Sequence, residues 1–257
     1  MRKSRAIDLW TPDPRQHVMD DLQKNRHRRA LFGRRKGPKL SAHQLELRRT
    51  LLPKLTLRLE KDRDPRCYFS YLPPASDPVT DVWLEVGYGG GEHLLWQANA
   101  RPSVGLIGAE PYISGTAKLL SKLDPAHLPN IRLYEDDARD IVEALPDSSI
   151  GRFFILFPDP WHKTRHHKRR FIQSEMLDQI ARILKPGGEF RFASDDAGYL
   201  AFALERLMAH PAFAWTAKGP ADWKTRAADW PPTRYESKEL HGPPAFLRFV
   251  RTDKVAT

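Results

Sequence analysis

The chain has 257 residues, 40% of them hydrophobic, which is enough for one large domain with an appended segment. Its single cysteine, Cys67, excludes an intrachain disulfide and a cysteine-based zinc site, and a cytoplasmic location is expected. The longest apolar run, residues 153–157, is far shorter than the roughly 20 residues of a membrane helix. The net charge is +10, and all of this excess lies in residues 1–60, which hold 16 Lys and Arg against 6 Asp and Glu. Because the excess of basic residues is so localised, a nucleic-acid partner is favoured over a tail that is merely solvated.

The N-terminal quarter is expected to precede the main domain. Residues 1–40 are predicted to form a basic, flexible, RNA-binding arm, and residues 41–78 a helical segment followed by a proline-rich linker. Ser41 and Gln44 have the spacing of a capping box, which predicts a helix start that is followed by an interruption near Pro53.

From residue 79 onward, short apolar runs alternate with amphipathic stretches, which is typical of βαβ units. Strands are predicted at 79–87, 104–110, 130–137, 149–157 and 189–194, and a closing pair of strands at 212–218 and 245–251. Helices are predicted at 91–100, 113–123, 139–145, 169–184 and 197–210, with a turn at 185–188. The pattern predicts an α/β fold with a doubly wound, mostly parallel, seven-stranded sheet in a domain spanning 79–257.

A glycine-rich turn, LEVGYGGG, follows the first predicted strand. Ligands bind outside the carboxyl ends of the strands in such sheets. The dinucleotide fingerprint would need a glycine where Glu92 stands, and a Walker loop would need a Gly-Lys-Ser/Thr sequence that is absent. Glu85, just before the turn, is a poor neighbour for a pyrophosphate and a good one for a cationic ligand. A nicotinamide-dependent oxidoreductase is therefore disfavoured, and the sulfonium compound S-adenosyl-L-methionine fits better.

Acidic residues end the next two predicted strands as well. Glu110 ends the second strand and Asp137 the third. One acid in such a place is often only a helix cap or a solvated turn residue. Three acids at consecutive strand ends beside a glycine turn, counting Glu85, outline a pocket for an adenosine-containing ligand.

The motifs LEVGYGGG, IGAEP, EDDA, FPDPWHKTRHHKRR, FASD and PTRYE occur in this order. Together they resemble the tRNA (guanine-N7-)-methyltransferases, a family of class I S-adenosylmethionine-dependent methyltransferases with a Rossmann-like fold. The resemblance covers about residues 80–252, and its most specific part is FPDPWHK with the basic run after it. It implies transfer of a methyl group from S-adenosyl-L-methionine to N7 of a guanine in the variable loop of tRNA.

The resemblance also assigns roles to individual residues. Asp159 is implied to be catalytic as well as cofactor-binding. The other implied cofactor-binding residues are Glu85, Gly87, Gly89, Gly91, Glu110 and Asp137. The implied substrate-binding residues are Lys163, Asp195, Thr233, Arg234, Tyr235 and Glu236. Two features depart from the family's pattern: Tyr88 stands where phenylalanine is usual, and the segment HGPPAFLRF follows the TRYE motif.

Three questions stay open from the sequence. Trp161 is as compatible with packing as with stacking on the base or the cofactor. The histidines at 162, 166 and 167 lack cysteines or acids at ligand spacing, so no metal is expected. A catalytically inactive RNA-binding protein with a methyltransferase fold is the alternative function, and the chain is expected to be a monomer or a homodimer.

Overall fold

A computed structural model describes residues 31–70, 78–124, 130–234, 236–238 and 241–253. The chain divides after Leu31, and the sheet with its helices belongs to the unit Phe32–Thr257. Residues 1–30 of the predicted arm lie outside the described residues. No helix in the described ranges combines the length and apolar character needed to cross a bilayer.

Seven strands form one sheet with the order β3-β2-β1-β4-β5-β7-β6. β7 is antiparallel to β5 and β6, and the other neighbours are parallel. The strands are β1 (Asp81–Val86), β2 (Val104–Ala109), β3 (Ile131–Tyr134), β4 (Ile150–Leu156), β5 (Leu184–Ser194), β6 (Phe213–Trp215) and β7 (Ala245–Arg251). The predicted fold class and the closing pair of strands are thus confirmed, and the structure shows that this pair is antiparallel.

Helices follow the strands in the alternation that the sequence predicts. The α-helices are α1 (Ala42–Thr50), α2 (Leu52–Leu55), α3 (Glu92–Ala100), α4 (Ile113–Leu120), α5 (Ala138–Ala144), α6 (Ser174–Ile183), α7 (Ala197–Ala209) and α8 (Ala221–Lys224). The 3-10 helices are Pro65–Phe69, Thr164–Arg169 and Glu236–Lys238.

The sheet has a hydrophobic core on each face. In β4, Phe153 and Ile155 belong to one core, whereas Phe154 and Leu156 belong to the other. Successive side chains of a strand point to opposite faces, so a strand buried on both sides is continuously apolar. Helices α5, α6 and α7 contribute to the first core and α1 to α4 to the second, which is the layering of a doubly wound fold.

The first helix of the described residues begins at the predicted capping box. Ser41 Oγ accepts from the Gln44 N–H at 3.2 Å, and Gln44 Oε1 accepts from the Ser41 N–H at 3.1 Å. The helix α1 ends at Thr50, and α2 restarts at Leu52 with a proline in its first turn. The predicted interruption is therefore confirmed, as expected for a residue that lacks a backbone N–H.

Two predicted boundaries are wrong. The predicted helix at 169–184 begins only at Ser174, because the preceding residues form a separate 3-10 helix that ends at Arg169. Arg170 is extended, and its guanidinium donates to the Pro160 carbonyl at 2.8 Å. The predicted turn at 185–188 lies inside β5, where the pairing with β4 shifts register and forms an irregularity.

Candidate active site

The site lies where the strand order reverses. β1 is central and pairs with β2 on one side and β4 on the other. Val86, its last residue, is in register with both Ala109 and Ile155. The loops that follow these strands therefore leave from one edge of the sheet, at the switch point where α/β sheets bind ligands.

The glycine turn after β1 depends on glycine conformations. Gly87, Gly89 and Gly91 have φ angles of 76°, 54° and 76°, in the left-handed region. A Cβ at Gly91 would lie 2.4 Å from Leu119 Cδ1, whereas one at Gly87 would meet nothing within 4 Å. Gly91 is thus required for packing, and Gly87 presents bare backbone to open space.

Tyr88, one of the two departures from the family's pattern, points into the core. Its side chain is buried, and its hydroxyl lies 2.7 Å from Thr116 Oγ1. Burial raises the pKa of Tyr88 well above its usual value. The extra hydroxyl is therefore satisfied inside the protein.

A cavity of about 440 Å³ opens beside this turn. It lies at the ends of β1, β2 and β4, and the loop after β4 and the segment Phe32 to Arg34 also line it. Its lining includes Val86, Gly87, Gly89, Glu110, Tyr112, Ile155, Leu156, Asp159, Trp161, Tyr199 and Arg234. This volume and mixture of apolar walls with a few polar groups are typical of a small-molecule site.

Glu110 connects the second strand to the glycine turn. Its two carboxylate oxygens accept from the Gly89 N–H at 2.8 Å and the Tyr112 N–H at 2.9 Å. Burial raises the pKa of Glu110; the two N–H donors oppose that effect, and the charges of Asp159 and Glu85 add to it. The carboxylates of this region therefore repel one another, which favours a cationic ligand.

The loop after β4 holds Asp159 in a constrained backbone. Phe157 and Trp161, two residues to either side, have φ angles of 51° and 49°. Left-handed conformations of bulky residues cost about 1–3 kcal/mol each and cluster at functional sites. The Phe157 N–H is held by the Ala193 carbonyl at 2.7 Å. The loop therefore projects Asp159 from the sheet edge in a fixed direction.

A second cavity, of about 350 Å³, shares a wall with the first. Asp159 and Trp161 line both cavities. The remaining lining residues of the second cavity are Pro160, His162, Lys163, His166 and His241. Asp159 thus faces a cavity on each side, the first beside the glycine turn and the second lined by aromatic and basic side chains.

Two acids fix the walls of the second cavity. His162 Nδ1 lies 3.1 Å from Asp196 Oδ2, and the His241 N–H donates to Asp195 Oδ2 at 3.2 Å. The two imidazole rings meet edge to face at 4.9 Å. Asp195, predicted to bind substrate, therefore positions the loop that carries His241.

A dense basic cluster borders the second cavity. Partial desolvation lowers the pKa of His166, and the charges of Arg169, Arg165, Lys163 and Lys168 lower it further. No ion pair joins Lys163, Arg165 or Lys168 to an acid of the described residues. Positive potential is therefore concentrated at this rim, as an anionic ligand would require.

The predicted cofactor acids differ in their placement. Glu110 and Asp159 line the first cavity. Glu85 is 2% exposed and lies under the turn, with its Oε2 atom 2.8 Å from His93 Nδ1. Asp137 accepts from the Arg139 N–H at 3.0 Å and caps α5. Neither Glu85 nor Asp137 is among the cavity-lining residues.

The TRYE motif is largely a local turn. Thr233 Oγ1 accepts from the Glu236 N–H at 3.2 Å, and Glu236 Oε1 accepts from Arg226 Nε at 3.0 Å. These bonds bring Arg234 to the first cavity. Tyr235 lies outside the described residues.

The structure adds lining residues that no sequence pattern indicates. Phe32 and Arg34 line the first cavity, and the Arg169 guanidinium lies 4.7 Å from the Phe32 ring and 4.9 Å from the Trp161 ring. Arg35 pairs with Asp136 at 3.1 Å, which fixes this segment to the sheet edge. The contacts of Arg169 with Phe32 and of Arg35 with Asp136 join residues more than 100 positions apart, so no local sequence signal could reveal them.

Comparison with known proteins places the chain in a methyltransferase family. A family described as "Putative methyltransferase" matches residues 80–242, more than half of the chain, and the chain belongs to it. It is 50% identical over 232 residues to the tRNA (guanine-N(7)-)-methyltransferase of Rhodospirillum rubrum, covering 88% of this chain and 89% of that protein. It is 46% identical over 224 residues to the enzyme of that name from Brucella abortus, covering 86% and 94%. The chain is therefore a member of the tRNA (guanine-N(7)-)-methyltransferase family.

Among solved structures, the chain is similar to the aminoglycoside resistance methyltransferase NpmB1. The identity is 21%, the TM-score is 0.47, and the match covers 76% of this chain and 100% of that one. The strand order of the sheet, rather than this likeness, defines the fold. Among the described residues, no group of three or more His, Cys, Asp or Glu side chains is arranged to hold a metal ion.

Proposed function

We propose that this protein transfers a methyl group from S-adenosyl-L-methionine to N7 of a guanine in the variable loop of tRNA. Family membership supports the reaction. One structural observation supports the place in the molecule where the reaction occurs. Asp159, together with Trp161, lines both a cavity beside the glycine turn and a basic, aromatic cavity on the other side. A methyl donor and a nucleotide acceptor need such adjoining sites.

The first cavity fits the cofactor. Gly87 and Gly89 allow close approach of its methionine part, and the Glu110 carboxylate can accept hydrogen bonds from ribose hydroxyls. Ile155 and Leu156 supply an apolar wall for the adenine. When bound, the cofactor supplies an electrophilic methyl group on a positively charged sulfur.

The second cavity fits the guanine nucleotide. Trp161 offers an aromatic face for base stacking, with His166 edge-on to it at 6.0 Å. Lys163 and its neighbouring cations lie at the rim, where the phosphates of the RNA backbone would contact them. The base must leave its stacked position to enter, at a cost of a few kcal/mol that these contacts would offset.

The reaction needs alignment more than proton transfer. The lone pair of guanine N7 forms the new bond to carbon, and the electrons of the broken carbon–sulfur bond stay on sulfur. No proton leaves N7, so no side chain has to be a general base. The protein's task is to hold the reacting atoms about 3–3.5 Å apart and in line.

Asp159 is suited to select and stabilise the guanine. Its carboxylate can accept from guanine N1–H and N2–H, a donor pair that adenine lacks. As the methyl group moves, positive charge moves from sulfur to the purine, and a carboxylate near the ring stabilises that charge. Specificity and charge stabilisation are thus assigned to one residue.

The test is methyl transfer to unmodified tRNA with site mapping. The full chain is incubated with radiolabelled S-adenosyl-L-methionine and transcribed tRNA, and N7-methylguanosine is located by chemical strand cleavage. Label is expected at a variable-loop guanine and is expected to vanish when that guanine is replaced by adenine. Binding of tRNA without label transfer would instead support the inactive RNA-binding alternative.

A further inference from the structure

A buried chain of hydrogen bonds lies behind the glycine turn and is not explained by the proposed reaction. Glu85 and His93 are each 2% exposed, and His93 Nδ1 lies 2.8 Å from Glu85 Oε2. The His93 ring packs edge-to-face on Phe154 at 4.7 Å and beside Trp230 at 6.3 Å. A carboxylate and an imidazole are thus enclosed together in an apolar surrounding.

Gln97 determines which nitrogen of His93 carries the proton. The Gln97 Oε1 atom accepts from Arg101 NH1 at 2.8 Å, and an arginine can only donate. Gln97 Nε2 is therefore the amide nitrogen, and it lies 2.9 Å from the Asp229 carbonyl and 3.0 Å from His93 Nε2. Since Nε2 of His93 must accept, the proton is on Nδ1 and is donated to Glu85.

This arrangement sets the charge of the pair. An imidazole that accepts at Nε2 is neutral, so it does not neutralise a carboxylate that receives its Nδ1–H. No lysine or arginine of the described residues forms an ion pair with Glu85. An ionised Glu85 would then be a buried negative charge that, among the described residues, is held by hydrogen bonding and not by a lysine or arginine.

The charge lies next to the cofactor cavity. Glu85 immediately precedes Val86, and both Val86 and Gly87 line that cavity. Glu110, another lining residue, senses the charges of Glu85 and Asp159. A buried charge without a protein counter-ion favours a cation nearby, because the low dielectric strengthens their attraction.

We propose that His93 is a positioning residue: it keeps Glu85 ionised and oriented under the turn, and so makes the cavity prefer a positively charged cofactor to its neutral product. The inference rests on the proposed function. S-Adenosyl-L-methionine carries a sulfonium, whereas S-adenosyl-L-homocysteine, left after transfer, has a neutral thioether. The pair therefore favours exchange of product for fresh cofactor.

The experiment measures ligand preference in the full-length protein by isothermal titration calorimetry. The three probes are S-adenosyl-L-methionine, S-adenosyl-L-homocysteine and sinefungin, which has an amine in place of the sulfonium. Glu85→Gln and His93→Leu are expected to lower the preference for the charged ligands over the neutral one about tenfold, the size of one lost charge interaction. Affinity for S-adenosyl-L-homocysteine is expected to change far less.

His93→Gln is the conservative variant, since an amide can both donate to Glu85 and accept from Gln97, and it is expected to keep the preference. The matched control is His210→Leu, which removes a histidine–carboxylate pair with Asp178, 3.0 Å apart, outside the cavity. If His93→Leu does not fold, Glu85→Gln still tests whether the charge sets the preference, because it removes the charge with little change of shape, and loss of the preference in His93→Gln would contradict the role of His93.

Two outcomes would overturn the inference. If the Glu85 and His93 variants bind all three ligands more weakly by the same factor, the role of the pair is merely structural. If the preference is unchanged, Glu85 does not contribute to it. Failure of the unmodified protein to bind any of the three ligands would instead refute the proposed function, so the two failures are distinguishable.

Discussion

Gly91 and Gly219 both stand at the start of a helix, yet they make different demands on the chain. Gly91 has a φ of 76° and its Cβ position is occupied by Leu119, whereas Gly219 has open space around it and no left-handed backbone. Gly91→Ala is therefore expected to reduce the free energy of unfolding by about 2 kcal/mol, from strain and overpacking combined. Gly219→Ala is the matched control and should change it by less than about 0.5 kcal/mol. Urea denaturation measures both; equal effects would contradict the packing role of Gly91.

Asp159 is the residue whose charge the proposed chemistry uses most. Asp159→Asn keeps the shape and one acceptor oxygen but removes the negative charge, so kcat for tRNA methylation is expected to fall about 100-fold. Cofactor affinity, measured by calorimetry, is expected to change far less. Asp147→Asn, at an exposed aspartate that pairs with Arg182, is the control and should leave kcat unchanged. Retention of most of the rate in Asp159→Asn would remove the charge-stabilising role.

At the residue scale, the sequence predicts which types of residue occur at the strand ends better than it predicts where their side chains lie. Glu110 is expected at the cavity and lies there, because a residue that ends a central strand must be near the switch point. Glu85 also ends a strand, but its side chain is directed to the buried His93. Asp137 has the helix-cap geometry that is its alternative interpretation. Side-chain direction at a strand end depends on tertiary partners, which periodicity does not encode.

At the scale of elements, residues 225–231 are fastened to the sheet through Asp229. Its carboxylate accepts from Arg191 at 2.9 and 2.8 Å and from Arg152 at 2.9 Å, and Arg191 is only 1% exposed. Desolvation opposes the charged form of Asp229, but the two guanidinium groups outweigh it and hold the pKa of Asp229 well below its usual range. The segment that precedes Thr233 is therefore positioned by charge as well as by packing.

This depressed pKa has a consequence for stability against acid. A carboxyl group whose pKa is lower in the folded state stabilises the protein above its unfolded-state pKa, near 3.9, and that contribution is lost as the pH falls through the folded-state value. Asp229→Asn is expected to lower the free energy of unfolding by about 2 kcal/mol at pH 7, since it leaves Arg191 with a weaker set of partners. The difference from the unmodified protein should shrink at pH 3 and below, which denaturant titrations at both pH values would measure. A difference independent of pH would contradict the ionic role.

The boundaries of helices and strands are predictable where neighbouring residues in the sequence make the hydrogen bonds that set them. They are missed where residues distant in the sequence make those bonds. The capping box at Ser41 is satisfied within four residues, so its signal is complete in the sequence. The helix predicted from residue 169 fails because Arg170 is bound to Pro160 and Gly198 and because Gln173 donates to the carbonyls of His167 and Arg170. These bonds stabilise an extended link that brings the basic cluster to the second cavity.

At the scale of the whole molecule, the two proposed ligands are assigned to adjoining cavities at one edge of the sheet. Glu110 and Asp159 line the first cavity together with Arg34, Lys118, Arg169 and Arg234, whereas the second has Asp159 beside Lys163 and three histidines. The strand order and the alternation of apolar runs predict this edge of the sheet as the site. They do not predict that Phe32 and Arg34 form part of its wall, since that depends on where the N-terminal segment packs.

The salt dependence of tRNA binding tests whether the basic cluster contacts the phosphates of the RNA. Replacing Lys163, Arg165 and Lys168 with alanine removes three exposed cations. Each phosphate contact contributes about 0.7–0.9 to the magnitude of the slope of log affinity against log salt concentration. The magnitude of the slope is therefore expected to decrease by roughly 2. Calorimetric affinity for S-adenosyl-L-methionine should stay unchanged, because none of the three side chains lines the first cavity. The matched control replaces Lys61, Lys218 and Lys224, three other exposed lysines, with alanine and removes the same total charge. If both triple variants reduce the slope equally, tRNA is attracted by net charge alone; if only the first does, the phosphates lie at the rim of the second cavity, where the target guanine would enter.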